Sequence, residues 1–273
     1  MKNVYMRFPG GLEKALTLSY DDGVADDYRL TEIMKRNGLR GTFNLNSGML
    51  GEVGKNDRRL TADEALALYK DGFEPAIHGT CHPAWSTQKD DSAMHDIFND
   101  RLELERLFGH SIRGGAYPFG AFSDRVVEQL RVAGIRYCRT TEITENTYIP
   151  TDWLRWHPTC HHNHPKLMEM AKKFVERDFP REPRLFFVWG HSYEFRLFLN
   201  NDWSKFETFC DYMGAADGIW NATNGEIYNY CQAYDMLDFT LEGDSVYNPT
   251  CTEVWFKAGD SVYSVKPGET LKF

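Results

Sequence analysis

The feature that most limits what this chain can become is an alternation, repeated about seven times, of short apolar or β-branched runs with segments of helical period. A continuous apolar run suits a strand covered on both faces, and a helix after each strand lays the next one parallel to the last. Strands are expected at 15–20, 41–46, 73–78, 114–117, 135–140, 184–189 and 218–222, with helices at 26–37, 61–70, 91–107, 123–133, 165–177, 203–213 and 225–236. Thr61 and Glu64 stand in capping-box spacing, Ser123 is placed as an N-cap, and Gly38 and Gly134 are placed as helix stops. The natural closure is a distorted (β/α) barrel of about seven strands over residues 1–237. From residue 238 to 273 the pattern changes to short alternating runs at 245–247, 252–256 and 261–265, broken by Asn-Pro, Ala-Gly-Asp and Pro-Gly. That reads as a small C-terminal antiparallel β appendage packed on the barrel.

Charge and cysteine usage narrow the partners. With 31 Lys and Arg against 40 Asp and Glu, the net charge is -9, and no basic run of five residues occurs. Such a field repels phosphate backbones and anionic lipid, so neither nucleic acid nor a membrane is an expected partner. No apolar stretch approaches the roughly 20 residues that span a bilayer, and the first residues lack the cationic start and apolar segment of a signal peptide, so a cytoplasmic location is expected. Cys81, Cys138, Cys160, Cys210, Cys231 and Cys251 form no CxxC pair and are expected to be free thiols.

Four short segments carry chemistry, each where an expected strand ends, which in α/β barrels is where functional residues collect. Ser19-Tyr20-Asp21-Asp22-Gly23 places two adjacent carboxylates that point in different directions; taken alone it also reads as a helix-capping turn. His78-Gly79-Thr80-Cys81-His82 spaces two imidazoles at i and i+4, close enough to share one cation. Gly114-Gly115-Ala116-Tyr117-Pro118-Phe119-Gly120 is a bent loop with backbone N–H groups to offer an oxyanion, and Phe186-Phe187-Val188-Trp189-Gly190-His191 ends a buried strand on one histidine.

The order and separation of these segments resemble the polysaccharide deacetylases of the NodB-homology family, over roughly residues 14–235. Asp21-Asp22-Gly23 matches the first motif of that family, and His78 with His82 matches the second, with Gly79 where Ser or Thr is usual. The third motif, Arg-x-Pro-aromatic-Gly, falls on Ala116-Tyr117-Pro118-Phe119-Gly120, so its arginine is absent and Asp21 needs another partner, for which Arg139 and Arg113 are candidates. The fourth motif falls on Asp152-Trp153. The fifth falls on Trp189-Gly190-His191, with Trp189 replacing a leucine that contacts the acetyl methyl group.

The resemblance implies a divalent metal, zinc or another transition metal, held by Asp22, His78 and His82, with a bound water activated by the cation. It implies Asp21 as general base, His191 as general acid oriented by a carboxylate such as Asp152, and the Phe119 N–H as an oxyanion donor. A structural zinc normally has four protein ligands, and this motif supplies three. The implied partner is an N-acetylated or O-acetylated sugar or glycan, with Tyr117, Phe119, Trp189, Asp152 and His161 as substrate contacts. The stretch 153–165, with two Trp and four His, is a sugar platform, a core-packing loop or a further metal site. Glu194 either contacts a substrate hydroxyl or faces solvent. Two other functions stay open: hydrolysis of another amide, such as a cyclic ureide or imide, and silent carbohydrate binding in which the C-terminal strands serve recognition or a homo-oligomer.

Overall fold

The computed structural model describes residues 3–55 and 57–273. Its central sheet is a curled, parallel one, a distorted (β/α) barrel in which seven strands follow one another in the order β6-β5-β4-β3-β2-β8-β7. These are β2 (Lys14–Asp21), β3 (Gly41–Leu45), β4 (Glu74–Ile77), β5 (Gly114–Ala116), β6 (Tyr137–Arg139), β7 (Cys160–His161) and β8 (Arg184–Gly190). Every residue of β2 after Lys14 is buried, as its continuous apolar run requires. A further strand, β9 (Ile219–Asn221), pairs with Lys14–Leu16, while β3 takes the later half of the same strand from Leu18 to Asp21.

One short segment joins the two ends of the curled sheet. Trp156 exchanges backbone hydrogen bonds with Cys138 and Thr140 beside β6, and a few residues on, Cys160 and His161 pair with Val188 and Trp189 of β8. This crossing was not expected, because two residues are too few to show a strand period.

The helices that return the chain are α1 (Asp27–Arg36), α2 (Ala62–Lys70), α3 (Asp90–Phe108), α4 (Asp124–Val132), α5 (Leu167–Glu176), α6 (Tyr193–Leu197), α7 (Ser204–Gly214) and α8 (Asn224–Asp235). Thr61 and Glu64 form the expected capping box on α2, Ser123 caps α4 through Val126, and Gly38 takes φ +64 just past α1. The short α6 has no counterpart in the expected helices.

The remaining strands are antiparallel. The N-terminal β1 (Val4–Arg7) pairs with β12 (Val254–Ala258), which pairs in turn with β13 (Ser261–Val265). β10 (Asp238–Phe239), β11 (Ser245–Tyr247) and β14 (Thr270–Lys272) form a second small sheet. Burial alternates along β12, so Val254, Phe256 and Ala258 face inward with Met6, Phe8, Phe187, Ile227 and Tyr230 in one apolar cluster. All six cysteines are free. Among the described residues no helix is long and apolar enough to cross a membrane.

Candidate active site

Parallel strands put all their C-terminal ends on one side, and that topology assembles the site. Asp21 closes β2, His78 follows β4, Tyr117 follows β5, Arg139 closes β6 and His191 follows β8. Asp21, Asp22, His78, His82, Tyr117, Phe119, Gly120, Thr141, Trp189, His191 and Tyr193 line one cavity of about 410 Å³.

Within it, one nitrogen or oxygen from each of Asp22, His78 and His82 lies within 4.8 Å of the others. His78 Nδ1 lies 2.8 Å from the Ala116 carbonyl oxygen and donates to it, which leaves the Nε2 lone pair free; Nε2 is buried without a hydrogen-bond partner. It stands 4.0 Å from Asp22 Oδ1, and His82 Nε2 stands 3.8 Å from the same atom. Burial, with His78 adding to it, lowers the His82 pKa to about 4, so at neutral pH this ring too offers a lone pair. A carboxylate and two imidazoles with an open side are a fitting donor set for a catalytic divalent metal.

The backbone of the site is strained at three points. Asp22, His82 and Phe119 have φ of 79°, 54° and 60°, the left-handed region that non-glycine residues avoid, at a cost on the order of 1 kcal/mol or more each. Arg59 Nη1 donates to the Asp22 carbonyl at 2.6 Å, and the Asp22 N–H donates to Asn44 O at 3.0 Å, so the turn is clamped from both ends. On the second loop Gly79 takes φ +78, and a Cβ there would lie 2.6 Å from Pro83 Cδ. That accounts for glycine where the resemblance leads one to expect Ser or Thr. Asp96 and Asp100, one turn apart on α3, hold the same loop. Asp100 accepts from the N–H groups of His78 and Ser47 at 2.9 Å, and Asp96 accepts from the Trp85 indole at 2.7 Å and from the Thr80 N–H.

The arginine missing from the third motif has moved one strand. Ala116 on β5 faces Arg139 on β6 across the ladder, and Arg139 Nη2 donates to both carboxylate oxygens of Asp21, 2.5 Å from Oδ1. Arg113 is elsewhere, bonded to Gly134 O. Asn44 Nδ2 adds a 2.8 Å bond to Asp21 Oδ1. Burial pushes the Asp21 pKa up, but Arg139, His78 and His191 outweigh it and bring it down to about 2. The guanidinium also lies 4.5 Å from the Trp189 ring, so the bulky residue at the fifth motif is part of the same arrangement.

His191 Nε2 stands 3.8 Å from Asp21 Oδ2, and its Nδ1 lies 2.8 Å from Glu194 Oε1. Burial lowers the His191 pKa, but the bond to Glu194 and the charges of Asp21 and Asp22 prevail, and the net shift is upward. Asp152 does not reach this histidine, a correction to the sequence reading. It is partly exposed, accepts the Leu154 N–H at 3.1 Å and pairs with Arg155 at 2.5 Å. Glu194, one turn beyond His191 at the start of α6, occupies the place expected for it, facing neither substrate nor solvent.

Of the expected substrate contacts, Tyr117, Phe119 and Trp189 line the cavity, and Asp152 and His161 do not. Tyr117 lines the cavity, but its hydroxyl is spent on the Leu154 carbonyl at 2.7 Å. His161 lies outside the lining, its ring 4.7 Å from Trp189 and its Nε2 3.2 Å from Glu194 Oε2. Trp153 and Trp156 are not a sugar platform: Trp156 is buried and Trp153 packs on it and on Tyr228. Phe119 is 68% exposed with its ring 4.3 Å from His82, and Tyr193, which carried no motif signal, forms another aromatic wall.

Residues 9–138 match the family model of the polysaccharide deacetylases, a span that includes Asp21, Asp22, His78, His82 and Phe119 and stops short of His191. Among solved structures, a Mycobacterium smegmatis protein assigned as a polysaccharide deacetylase superposes with a TM-score of 0.60 at 14% identity, over 86% of this chain and 95% of that one. A family 4 carbohydrate esterase from Streptomyces lividans, solved with acetate, superposes with a TM-score of 0.51 at 13% identity, over 77% and 93%. At such identities the likeness is one of fold. A deacetylase from Streptococcus pyogenes matches at 20% identity and a TM-score of 0.42, over 46% of this chain and 55% of that protein's length. No curated protein matches the sequence.

Proposed function

We propose that this chain is a metal-dependent hydrolase that removes an acetyl group from an acetylated sugar or glycan, a reading supported by the match of residues 9–138 to the polysaccharide deacetylase family model. The observation that carries the reading is the meeting, in one cavity, of the Asp22, His78 and His82 donor set with a carboxylate and an imidazole, Asp21 Oδ2 and His191 Nε2, only 3.8 Å apart. Asp22, His78 and His82 would hold the ion, which when bound supplies a Lewis acid and lowers the pKa of water at the site.

The chain's own groups do the rest. Asp21, kept ionised by Arg139, accepts the proton of the attacking water at a carboxylate oxygen, while Asn44 and Arg139 hold that carboxylate in one orientation. The Phe119 backbone N–H donates to the oxygen that gains charge as the carbonyl carbon becomes tetrahedral. Such a donor is typically worth about 10² to 10³ in rate. His191, held at Nδ1 by Glu194, carries its proton on Nε2 and gives it to the departing group. An amine leaves poorly without a proton, so an acid at this position favours an N-acetyl over an O-acetyl substrate. Phe119, Trp189 and Tyr193 offer aromatic faces to the apolar faces of a sugar ring.

The test is acetate release from a panel of N- and O-acetylated sugars by chelator-stripped and metal-restored protein. Release that disappears on stripping and returns with one divalent ion per chain is expected. Sugar binding without release in the metal-restored protein would favour silent binding, and release unaffected by stripping would overturn the proposal.

A further inference from the structure

We infer that His161, His162 and Glu194 form a second divalent-cation site, outside the lining of the first cavity and sharing its carboxylate with His191. Their donor atoms lie within 4.8 Å of one another, as do those of the first site. Glu194 Oε2 is 3.2 Å from His161 Nε2 and 3.0 Å from His162 Nε2. Bonds of roughly 2.0–2.1 Å at tetrahedral angles place two zinc ligands about 3.3 Å apart. The second cluster is closer to that spacing than the first, where Asp22 Oδ1 stands 3.8 and 4.0 Å from the two imidazoles.

His162 is the residue that asks for a ligand. Its side chain is fully buried, and neither ring nitrogen has a partner of good hydrogen-bond geometry, although Nε2 lies 3.0 Å from Glu194 Oε2. A buried polar ring left in this state costs free energy that coordination would recover. Its position is enforced: Tyr20 and Phe195 stack on it at 5.6 and 4.4 Å, and Gly190 must be glycine, since a Cβ there would fall 2.0 Å from Nδ1. His161 is partly exposed and gives an ion its way in.

The arrangement also sets the order of filling. At the first site the Ala116 carbonyl already fixes the His78 ring with Nε2 free. At the second, His161 Nδ1 accepts the Asn163 N–H at 3.1 Å, which places the ring proton on Nε2. Coordination through Nε2 must move that proton to Nδ1 and give up the Asn163 contact. No proton is lost overall, but the second ion binds more weakly. Asn163 Nδ2 also donates to Glu194 Oε2 at 2.9 Å and must yield part of that bond. A filled second site draws on the carboxylate that holds His191 Nδ1. It is therefore a site at which excess metal opposes catalysis, a consequence that rests on the proposed function; the site itself does not.

The test is equilibrium dialysis of the chelator-stripped full chain against zinc, with bound metal counted by plasma mass spectrometry. Wild type is expected to bind two ions, the second at least tenfold more weakly. His161→Ala and Glu194→Gln should each bind only the tight ion, and His82→Ala should bind only the weak one. Thermal unfolding of the stripped variants checks that each is folded. A single ion in wild type, or a second ion that survives both His161→Ala and Glu194→Gln, would overturn the inference. Neither result bears on acetate release by the protein with one ion, so this proposal and the enzymatic one fail separately.

Discussion

Replacing Arg139 by Met tests the strand-shifted arginine. Arg139 is fully buried and Asp21 is 2% exposed, so the substitution leaves a carboxylate in the barrel with Asn44 as its remaining donor. Removing one partner of a buried ion pair typically costs about 3–5 kcal/mol, a large part of the roughly 5–15 kcal/mol that holds a native protein together. The pH dependence follows from the sign of the shift. Asp21 is depressed from its ordinary value to about 2 in the folded chain, so the pair stabilises above the ordinary carboxylate range and its contribution is lost as pH falls toward 2. The penalty in Arg139→Met should therefore be largest near neutral pH and shrink in acid. Urea unfolding of the metal-free protein across that range is the assay, with Asp21→Asn completing a double-mutant cycle. The double variant should lose clearly less than the sum of the two singles. Adding Ala116→Arg to Arg139→Met should recover a substantial part of the loss, because residue 116 faces residue 139 across the ladder. A cost below about 1 kcal/mol at neutral pH, or additivity in the cycle, would refute the reasoning.

Other outcomes follow from the same geometry. Glu194→Gln should lower the pH at which His191 loses its proton, read by NMR of the ring and by the basic limb of acetate release, whereas Asp152→Asn should leave both unchanged. Gly79→Ser should destabilise by about 1–2 kcal/mol, since serine must adopt a left-handed φ against Pro83, and thermal unfolding reads the loss. Burial lowers the His162 pKa from 6.5 to about 4 against the pull of Glu194. The unfolded chain then takes up this proton first, and stability should fall by up to about 1.4 kcal/mol per pH unit as pH drops from 6.5 toward 4. His162→Phe should flatten that slope.

Much of the site was legible in the chain because its chemistry sits at the ends of strands, and parallel strands share an end. Local periodicity set Asp21, Asp22, His78, His82 and His191 at strand ends, and the motif order of the resembling family grouped them into one site. What stayed hidden depends on register or on distant partners. That Arg139 replaces the arginine absent at Ala116 is a fact of β5–β6 pairing, which no local pattern states. The two-residue β7 is too short for a period, yet it sets His161 and His162 beside Glu194. β1 finds its partner in β12, roughly two hundred and fifty residues later, so neither could show the other. Trp153 and Trp156 have the composition of a sugar platform, and only their packing against Tyr228 and Phe187 makes them core.

The central claim separates the base from the metal ligands, and one pair of variants tests that most directly. Asp21→Asn removes the charge that accepts the proton and leaves Asp22, His78 and His82 in place. His82→Ala removes a ligand. Bound metal and acetate release should be measured on both after exposure to one equivalent of zinc. The account predicts that Asp21→Asn keeps its ion and loses acetate release, while His82→Ala loses the tight ion and acetate release together. Normal turnover by Asp21→Asn, or a wild-type tight ion in His82→Ala, would contradict it.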